Sequence, residues 1–192
     1  ALEKVRRAED KPCVYVLGGA KADDAAAVCE YVLAQQTADY VLVGGVIGHL
    51  FLHAKGVDIG PPNVEYLTNK KFMQYAPQIT PLFTKYPEKI VTPVDFGIDT
   101  KGKRKDITLS ELPTDYPIFD IGKATIETYR PYLAHGGTVV ISGPMGVYER
   151  EDFRIGTRGI FKLIADSNPL SIARGGNPIE ALERPARYPN IS

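Results

Sequence analysis

CVYVLGGAK, residues 13–21, decides the fold. Its first five residues are apolar without alternation, which predicts a short strand buried on both faces. Gly18 and Gly19 stop that strand. The Ala-rich stretch Asp23 to Gln36 then reads as a helix whose first turn is acidic, where the helix dipole favours negative charge. The same grammar returns along the chain. YVLV (40–43) is a second buried strand ending in Gly44-Gly45, and Val46 to Lys55 reads as a helix stopped by Gly56. KIVTPV (89–94), IFDI (118–121), TVVI (138–141) and Ser171 to Ala173 supply four more strands. Between them, Asn69 to Tyr86 predicts one or two helices broken around Pro77 and Pro81. Ala124 to Leu133 is helical with a kink or stop at Pro131, Thr157 to Asp166 is a helix, and Ile179 to Glu183 begins a last one. Strand, glycine turn and helix in this rhythm predict a Rossmann-like three-layer αβα fold around a mostly parallel six-stranded sheet. The charged run DTKGKRKD (99–106) reads as an exposed hairpin or loop, with a functional basic patch as the second reading.

Composition narrows the functions open to such a sheet. Lys plus Arg and Asp plus Glu both number 23, so the formal charge is zero. That argues against a general nucleic-acid or polybasic membrane binder, and leaves room for one local anion site. A hydrophobic share of 44% and a charged share of 24% are globular values, and 192 residues suit one domain with a sizeable core or two small ones. Cys13 and Cys29 sit in apolar runs with no CxxC, which predicts buried thiols rather than zinc, redox or disulfide chemistry. No stretch is long enough for a membrane helix and no signal peptide is visible, so the cytoplasm is the expected compartment. The chain starts at Ala1 without Met, in a helix-like run, and is expected to be part of a longer protein.

In a parallel sheet, ligands bind beyond the carboxyl ends of the strands, where these glycine turns lie. Each turn is ordinary architecture alone. Gly18-Gly19, Gly44-Gly45, Gly143 and Gly175-Gly176 together suggest a nucleotide-sized cleft, though neither a Walker A nor a GxGxxG string is present. Lys21 is placed either to neutralise a phosphate or as a surface lysine. Glu149, at the end of GPMGVYE, either accepts bonds from ribose hydroxyls or caps the next segment. His49 and His53 stand at i and i+4, a spacing that can hold a metal, but no third ligand pattern accompanies them. No GxSxG or Cys–His arrangement supports a hydrolytic nucleophile.

VYVLGGAK (14–21), LVGGVIGHLFLHAKG (42–56), TPVDFG (92–97), FDIG (119–122), GPMGVYE (143–149) and DFRIGT (152–157) together resemble phosphoglycerate kinase, in that family's order and over nearly the whole chain. The resemblance is to the C-terminal, nucleotide-binding half, and VGGV looks like the archaeal branch. It implies residues 1–12 as part of an interdomain helix or linker, residues 13–192 as a nucleotide-binding domain lacking its final segment, and an absent domain for 3-phosphoglycerate. The implied parent reversibly transfers phosphoryl between Mg-ATP and 3-phosphoglycerate by hinge closure, in glycolysis or gluconeogenesis. This chain would bind Mg-ATP or Mg-ADP, as a monomer, and turn over negligibly alone. Residue by residue, Lys21 matches the lysine that stabilises the transferring phosphoryl group. Gly19 and Ala20 would line the cleft, Gly44 and Gly45 would lie against the adenine, Pro144 and Met145 would form the opposite wall, and Glu149 would bind the ribose. Gly175, Gly176 and Asn177 match the turn that holds phosphates and, through Asn177, the magnesium.

The sequence also departs from the family pattern. Ala25 stands where a second lysine is usual, Ser142 where Asn is common, and Arg174 where a third glycine precedes the phosphate turn. Asn177 replaces the metal-binding Asp and keeps only a carbonyl oxygen for Mg²⁺, while Pro178 removes one N–H. These changes motivate an alternative, a non-catalytic or degenerate nucleotide-binding fragment. An unrelated Rossmann-like binder or transferase is the third reading.

Overall fold

A computed structural model of the chain describes residues 11–167 and the backbone of 170–174. The expectations for the linker up to residue 10, for Gly175, Gly176, Asn177 and Pro178, and for the helix at 179–183 lie outside the described residues.

Among the described residues five parallel strands form the main sheet: β1 (Cys13–Leu17), β2 (Tyr40–Val43), β3 (Ile90–Val91), β7 (Thr138–Ser142) and β8 (Leu170–Arg174). Their order is β3-β2-β1-β7-β8. The chain winds outward from β1 on one side, then crosses to β7 on the other. The crevice between β1 and β7 is therefore the topological switch point, where such sheets bind ligands. Cys13 pairs with Thr138 and Leu17 with Ser142, so both strands end level, at Gly18 and Gly143.

Period-two alternation divides each strand between two cores. Cys13, Tyr15, Leu17, Val41 and Val43 pack with helices α1 (Ala25–Ala34), α2 (Gly45–Ala54), α3 (Pro61–Asn69) and α4 (Ala76–Lys85). Val14, Val16, Leu42, Val139 and Ile141 pack with α5 (Lys123–Ala134) and α6 (Ile155–Ser167). Helices on both faces give the three layers expected. Cys13 and Cys29 are free and buried, and desolvation pushes their thiols up to about 11 and about 12, so both stay protonated at neutral pH.

The sixth expected strand is elsewhere. IFDI forms β6 (Ile118–Ile121), which pairs antiparallel with β4 (Asp95–Thr100) in a separate sheet of order β5-β4-β6, with β5 at Lys103–Thr108. Four apolar residues specify a buried strand but not its partner, and DFGI supplies an antiparallel one. The charged run 99–106 is a hairpin, as expected. Its two turn residues, Lys101 and Gly102, have φ of 56° and 92°, the sign pattern whose twist matches antiparallel strands.

Three local expectations shift. Helix α1 starts after Asp24, so Asp23 and Asp24 precede its first turn. Helix α5 runs through Pro131, which is exposed, so solvent can reach the carbonyl that the proline leaves without a donor. The broken region resolves into a 3-10 turn at Phe72–Tyr75 and α4, with Pro77 in its first turn and Pro81 inside it. Helix α3 was not expected, although Gly60-Pro61-Pro62 is a helix start with proline in its first turn.

Candidate functional site

Three glycine turns meet at the carboxyl ends of β1, β2 and β7, and they are joined by backbone hydrogen bonds. Gly18 N donates to Ser142 O and Gly19 N to Pro144 O, each at 2.6 Å. Gly44 N donates to Leu17 O at 2.9 Å, and Gly45 N to Met145 O at 3.0 Å. Val46 N and Ile47 N, at the start of α2, donate to Gly19 O at 3.1 and 3.4 Å. The free donors that a helix N-terminus ordinarily offers an anion are thus partly taken by a neighbouring carbonyl.

This mesh explains its glycines. Gly19, Gly45 and Gly143 have φ of 85°, 57° and 79°, in the left-handed region. A Cβ on Gly45 would lie 2.9 Å from Gly19 N, and one on Gly143 would overlap the Gly18 carbonyl. Beneath the mesh sits Met145, 2% exposed; Cβ atoms on Gly18 or Gly44 would run into its side chain. Its backbone N–H is satisfied by the buried Thr157 hydroxyl at 3.0 Å.

Above the mesh opens a cleft of ≈ 610 Å³, within the usual range for small-molecule sites. Gly18, Gly19, Ala20, Lys21 and Gly45 line one part of it, and Ser142, Gly143, Pro144, Gly146, Val147 and Glu149 another. Of the residues singled out from sequence, the cleft brings together Gly19, Ala20, Lys21, Gly45, Pro144 and Glu149. Gly44 and Met145 are buried behind that lining, and Gly175, Gly176 and Asn177 lie outside the described residues. Lys21 and Glu149 are exposed, and neither side chain makes a hydrogen bond or ion pair among the described residues. Among the described residues the cleft therefore offers one cationic and one anionic group over an uncharged backbone floor.

The remaining wall comes from residues that were given no site role from sequence, although Ile118 and Phe119 fall in the quoted strings IFDI and FDIG. Pro62, Asn63 and Tyr66 of α3 face Pro117, Ile118 and Phe119. Asn63 is buried and spends its amide on structure. Its Nδ2 donates to Ile59 O at 2.8 Å and Tyr116 O at 3.2 Å, and its Oδ1 accepts from Ile118 N at 2.8 Å. His49 lines the cleft from α2, while His53 lies outside that lining. Desolvation lowers the His49 pKa to about 4, so its imidazole is neutral at pH 7. Among the described residues no three His, Cys, Asp or Glu side chains cluster as a metal site would require.

Behind this wall, the small sheet is fastened by charge. Arg104 Nη1 donates to Asp120 Oδ2 at 2.7 Å, and the two side chains are 8% and 0% exposed. Asp120 also accepts from Gly156 N at 2.9 Å. Burial raises the Asp120 carboxyl to about 6, against the lowering effects of Gly156 N–H and Arg104. Asp95 caps α5 from β4, accepting from Ala124 N at 2.8 Å and Thr125 N at 2.7 Å in the space that a Cβ on Gly122 would fill.

A three-layer α/β domain with a glycine-walled cleft at its switch point is the general class that fold and site define. The comparisons name the member. The family model described as phosphoglycerate kinase matches residues 1–190, and the chain belongs to that family. A phosphoglycerate kinase of Pyrococcus furiosus is 44% identical over 186 residues, 95% of this chain and 45% of that protein. One from Methanothermus fervidus is 39% identical over 183 residues, 95% of this chain and 44% of that protein. The crystal structure of phosphoglycerate kinase from Pyrococcus horikoshii superposes with a TM-score of 0.90 at 41% identity, covering 96% of this chain and 47% of that one. The structure of the enzyme from Coxiella burnetii gives 0.80 at 30% identity, covering 95% and 47%. The chain spans about half the length of the curated relatives it matches. Among the described residues no helix is long and apolar enough to cross a membrane.

Proposed function

We propose that this chain is the half of a phosphoglycerate kinase that binds Mg-ATP or Mg-ADP, and that the other half of the enzyme holds 3-phosphoglycerate. The observation that carries the reading is the convergence of three glycine turns at the switch point, with Lys21 and Glu149 on the same cleft. Phosphoryl transfer needs positioning and charge neutralisation more than covalent help. The backbone mesh supplies a preorganised floor that costs nothing to rearrange during reaction. Lys21 supplies positive charge for the phosphates and the transferring group, and Glu149 accepts hydrogen bonds from the ribose hydroxyls.

A magnesium ion, when bound with the nucleotide, would supply charge neutralisation for the phosphates. By the family resemblance, Asn177 would offer Mg²⁺ one carbonyl oxygen, the ion keeping most of its waters. Pro144, Gly19, Gly45 and Gly143 line the cleft, and the family resemblance assigns the phosphate turn to Gly175 and Gly176. Met145 acts from beneath by filling the space under Gly18 and Gly44. Soluble, cytoplasmic and monomeric behaviour follows the same reading.

Calorimetric titration of the chain with Mg-ADP tests the binding; no heat at millimolar ADP would reject an intact nucleotide site. In the whole protein, a coupled assay with Mg-ATP and 3-phosphoglycerate tests the chemistry. Lys21→Ala should lower kcat by two or more orders of magnitude, the scale expected when a charge on the transferring group is lost; full activity would remove Lys21 from its role. The departures at Arg174, Asn177 and Pro178 favour the second reading, a non-catalytic nucleotide binder, and an inactive whole protein that still binds Mg-ADP would establish it.

A further inference from the structure

Glu149 is the exposed residue of a half-buried loop that is fastened by its neighbours on either side. Val147 N donates to Phe119 O at 2.7 Å, and Arg150 N to Val147 O at 3.1 Å. Arg154 Nε donates to Tyr148 O, and its Nη2 reaches Glu149 O at 3.4 Å. The residue after Glu149 turns away to the β4–β5 hairpin. Arg150 Nη1 donates to Asp99 Oδ2 at 2.8 Å, while Nη2 reaches Asp99 Oδ1 at 3.4 Å and Gly102 O at 3.3 Å. The same guanidinium stacks 5.3 Å from the Phe119 ring centre and 4.7 Å from that of Phe153. Asp99 is itself fixed, its Oδ1 accepting from Gly102 N at 2.7 Å and its backbone N–H donating to Pro117 O at 2.9 Å. Phe119 also lines the cleft. Hairpin tip, aromatic pair and Glu149 loop therefore form one connected body with Phe119 as its inner face.

A partly exposed ion pair contributes little to folding stability. Its two-point geometry on a planar guanidinium fixes direction instead. We infer that Arg150, gripped by Asp99 and stacked on Phe119, is a positioning residue that aims the Glu149 carboxylate at the sugar hydroxyls of a bound nucleotide and so sets discrimination for the ribose. This rests on the reading of Glu149 given above. It assigns the β4–β5 hairpin, remote in sequence from the glycine turns, a part in substrate choice.

The test uses the whole protein and two probes, Mg-ADP and Mg-2′,3′-dideoxy-ADP. Wild type should bind ADP roughly tenfold or more tightly over the dideoxy analogue, the scale of a hydrogen bond to a charged acceptor. Glu149→Gln should collapse that ratio. Arg150→Met and Asp99→Asn should each lower it at least threefold, leaving dideoxy-ADP affinity and the melting temperature at wild-type values, and Arg150→Lys should recover part of it. A wild-type ratio in both Arg150→Met and Asp99→Asn, with the ratio lost in Glu149→Gln, would overturn the positioning role alone. An unchanged ratio in Glu149→Gln would overturn the ribose reading and this inference together.

Discussion

The two sides of the cleft are built by different physics. One side is backbone: Gly18-Gly19, Gly44-Gly45 and Gly143-Pro144 hold each other through N–H···O bonds, with Met145 beneath as filler. The other side is side chain: Asn63, Arg104, Asp120, Asp99 and Arg150 tie α3, the small sheet and the Glu149 loop together. Backbone contacts at left-handed glycines leave no room for a Cβ and have no substitute. Ionic contacts can be weakened, protonated or replaced in steps. The first side should therefore fail abruptly on mutation, and the second gradually and with pH.

Gly143→Ala is expected to have the largest effect. The added Cβ overlaps the Gly18 carbonyl at a φ of 79°, which should cost about 3 kcal/mol or more and abolish Mg-ADP binding. Denaturant midpoints and calorimetry would check both. A neutral result would dissolve the contrast between the two sides.

Arg104→Met is next. Removing one partner of a buried pair costs about 3–5 kcal/mol because the other charge is stranded. Here the loss should be largest near pH 7.5 and shrink toward pH 5, because Asp120 can accept a proton instead. Denaturant melts at both pH values would decide; a pH-independent loss would show that Asp120 stays ionised.

His49 and Asp120 should tilt stability in opposite directions on the acid side. His49 falls from 6.5 to about 4 on folding. Between those values only the unfolded chain holds the proton, so the His49 contribution is full above pH 6.5 and is lost as pH falls toward 4. Asp120 rises from 3.8 to about 6. Its contribution is full below 3.8 and is lost as pH rises through 6. His49→Phe should thus remove roughly 1–3 kcal/mol of acid destabilisation, seen as a flatter melting profile between pH 6.5 and 4. A slope unchanged in that variant would mean that the folded imidazole titrates normally.

Gly102→Ala sharpens the comparison from below. Gly102 has a φ of 92°, but a Cβ added there would meet no atom within 4 Å, so only conformational strain remains. About 1 kcal/mol of stability is expected to be lost, with Mg-ADP binding retained rather than abolished. A loss as large as that of Gly143→Ala would mean that φ alone, and not the mesh, sets the sensitivity.

The backbone side of the cleft was legible in sequence because its device is local. CVYVLGG, YVLVGG and TVVISGP each place a buried strand directly before glycine, and in a parallel sheet such turns must share one edge. Lys21 and Glu149 were legible through GGAK and GPMGVYE. The side-chain wall was not. Asn63 reaches Ile118 across 55 positions, Arg104 reaches Asp120 from a run that reads as solvated charge, and helix α3 lacks the apolar periodicity that would announce it. Spacing put His49 and His53 on one helix but did not say which of them meets the cleft; the structure places His49 there and His53 outside its lining.

By itself, then, the sequence determined the repeating strand–glycine–helix unit, the sheet edge where the glycine turns meet and the family whose strings it carries, because each is written within a few consecutive residues. Tertiary structure decided which strands pair. It moved IFDI from the parallel sheet to an antiparallel one, sank Met145 beneath the glycines rather than into the cleft wall, and joined the Glu149 loop to a charged hairpin. Those outcomes depend on contacts between residues tens of positions apart, whose energies no local pattern contains.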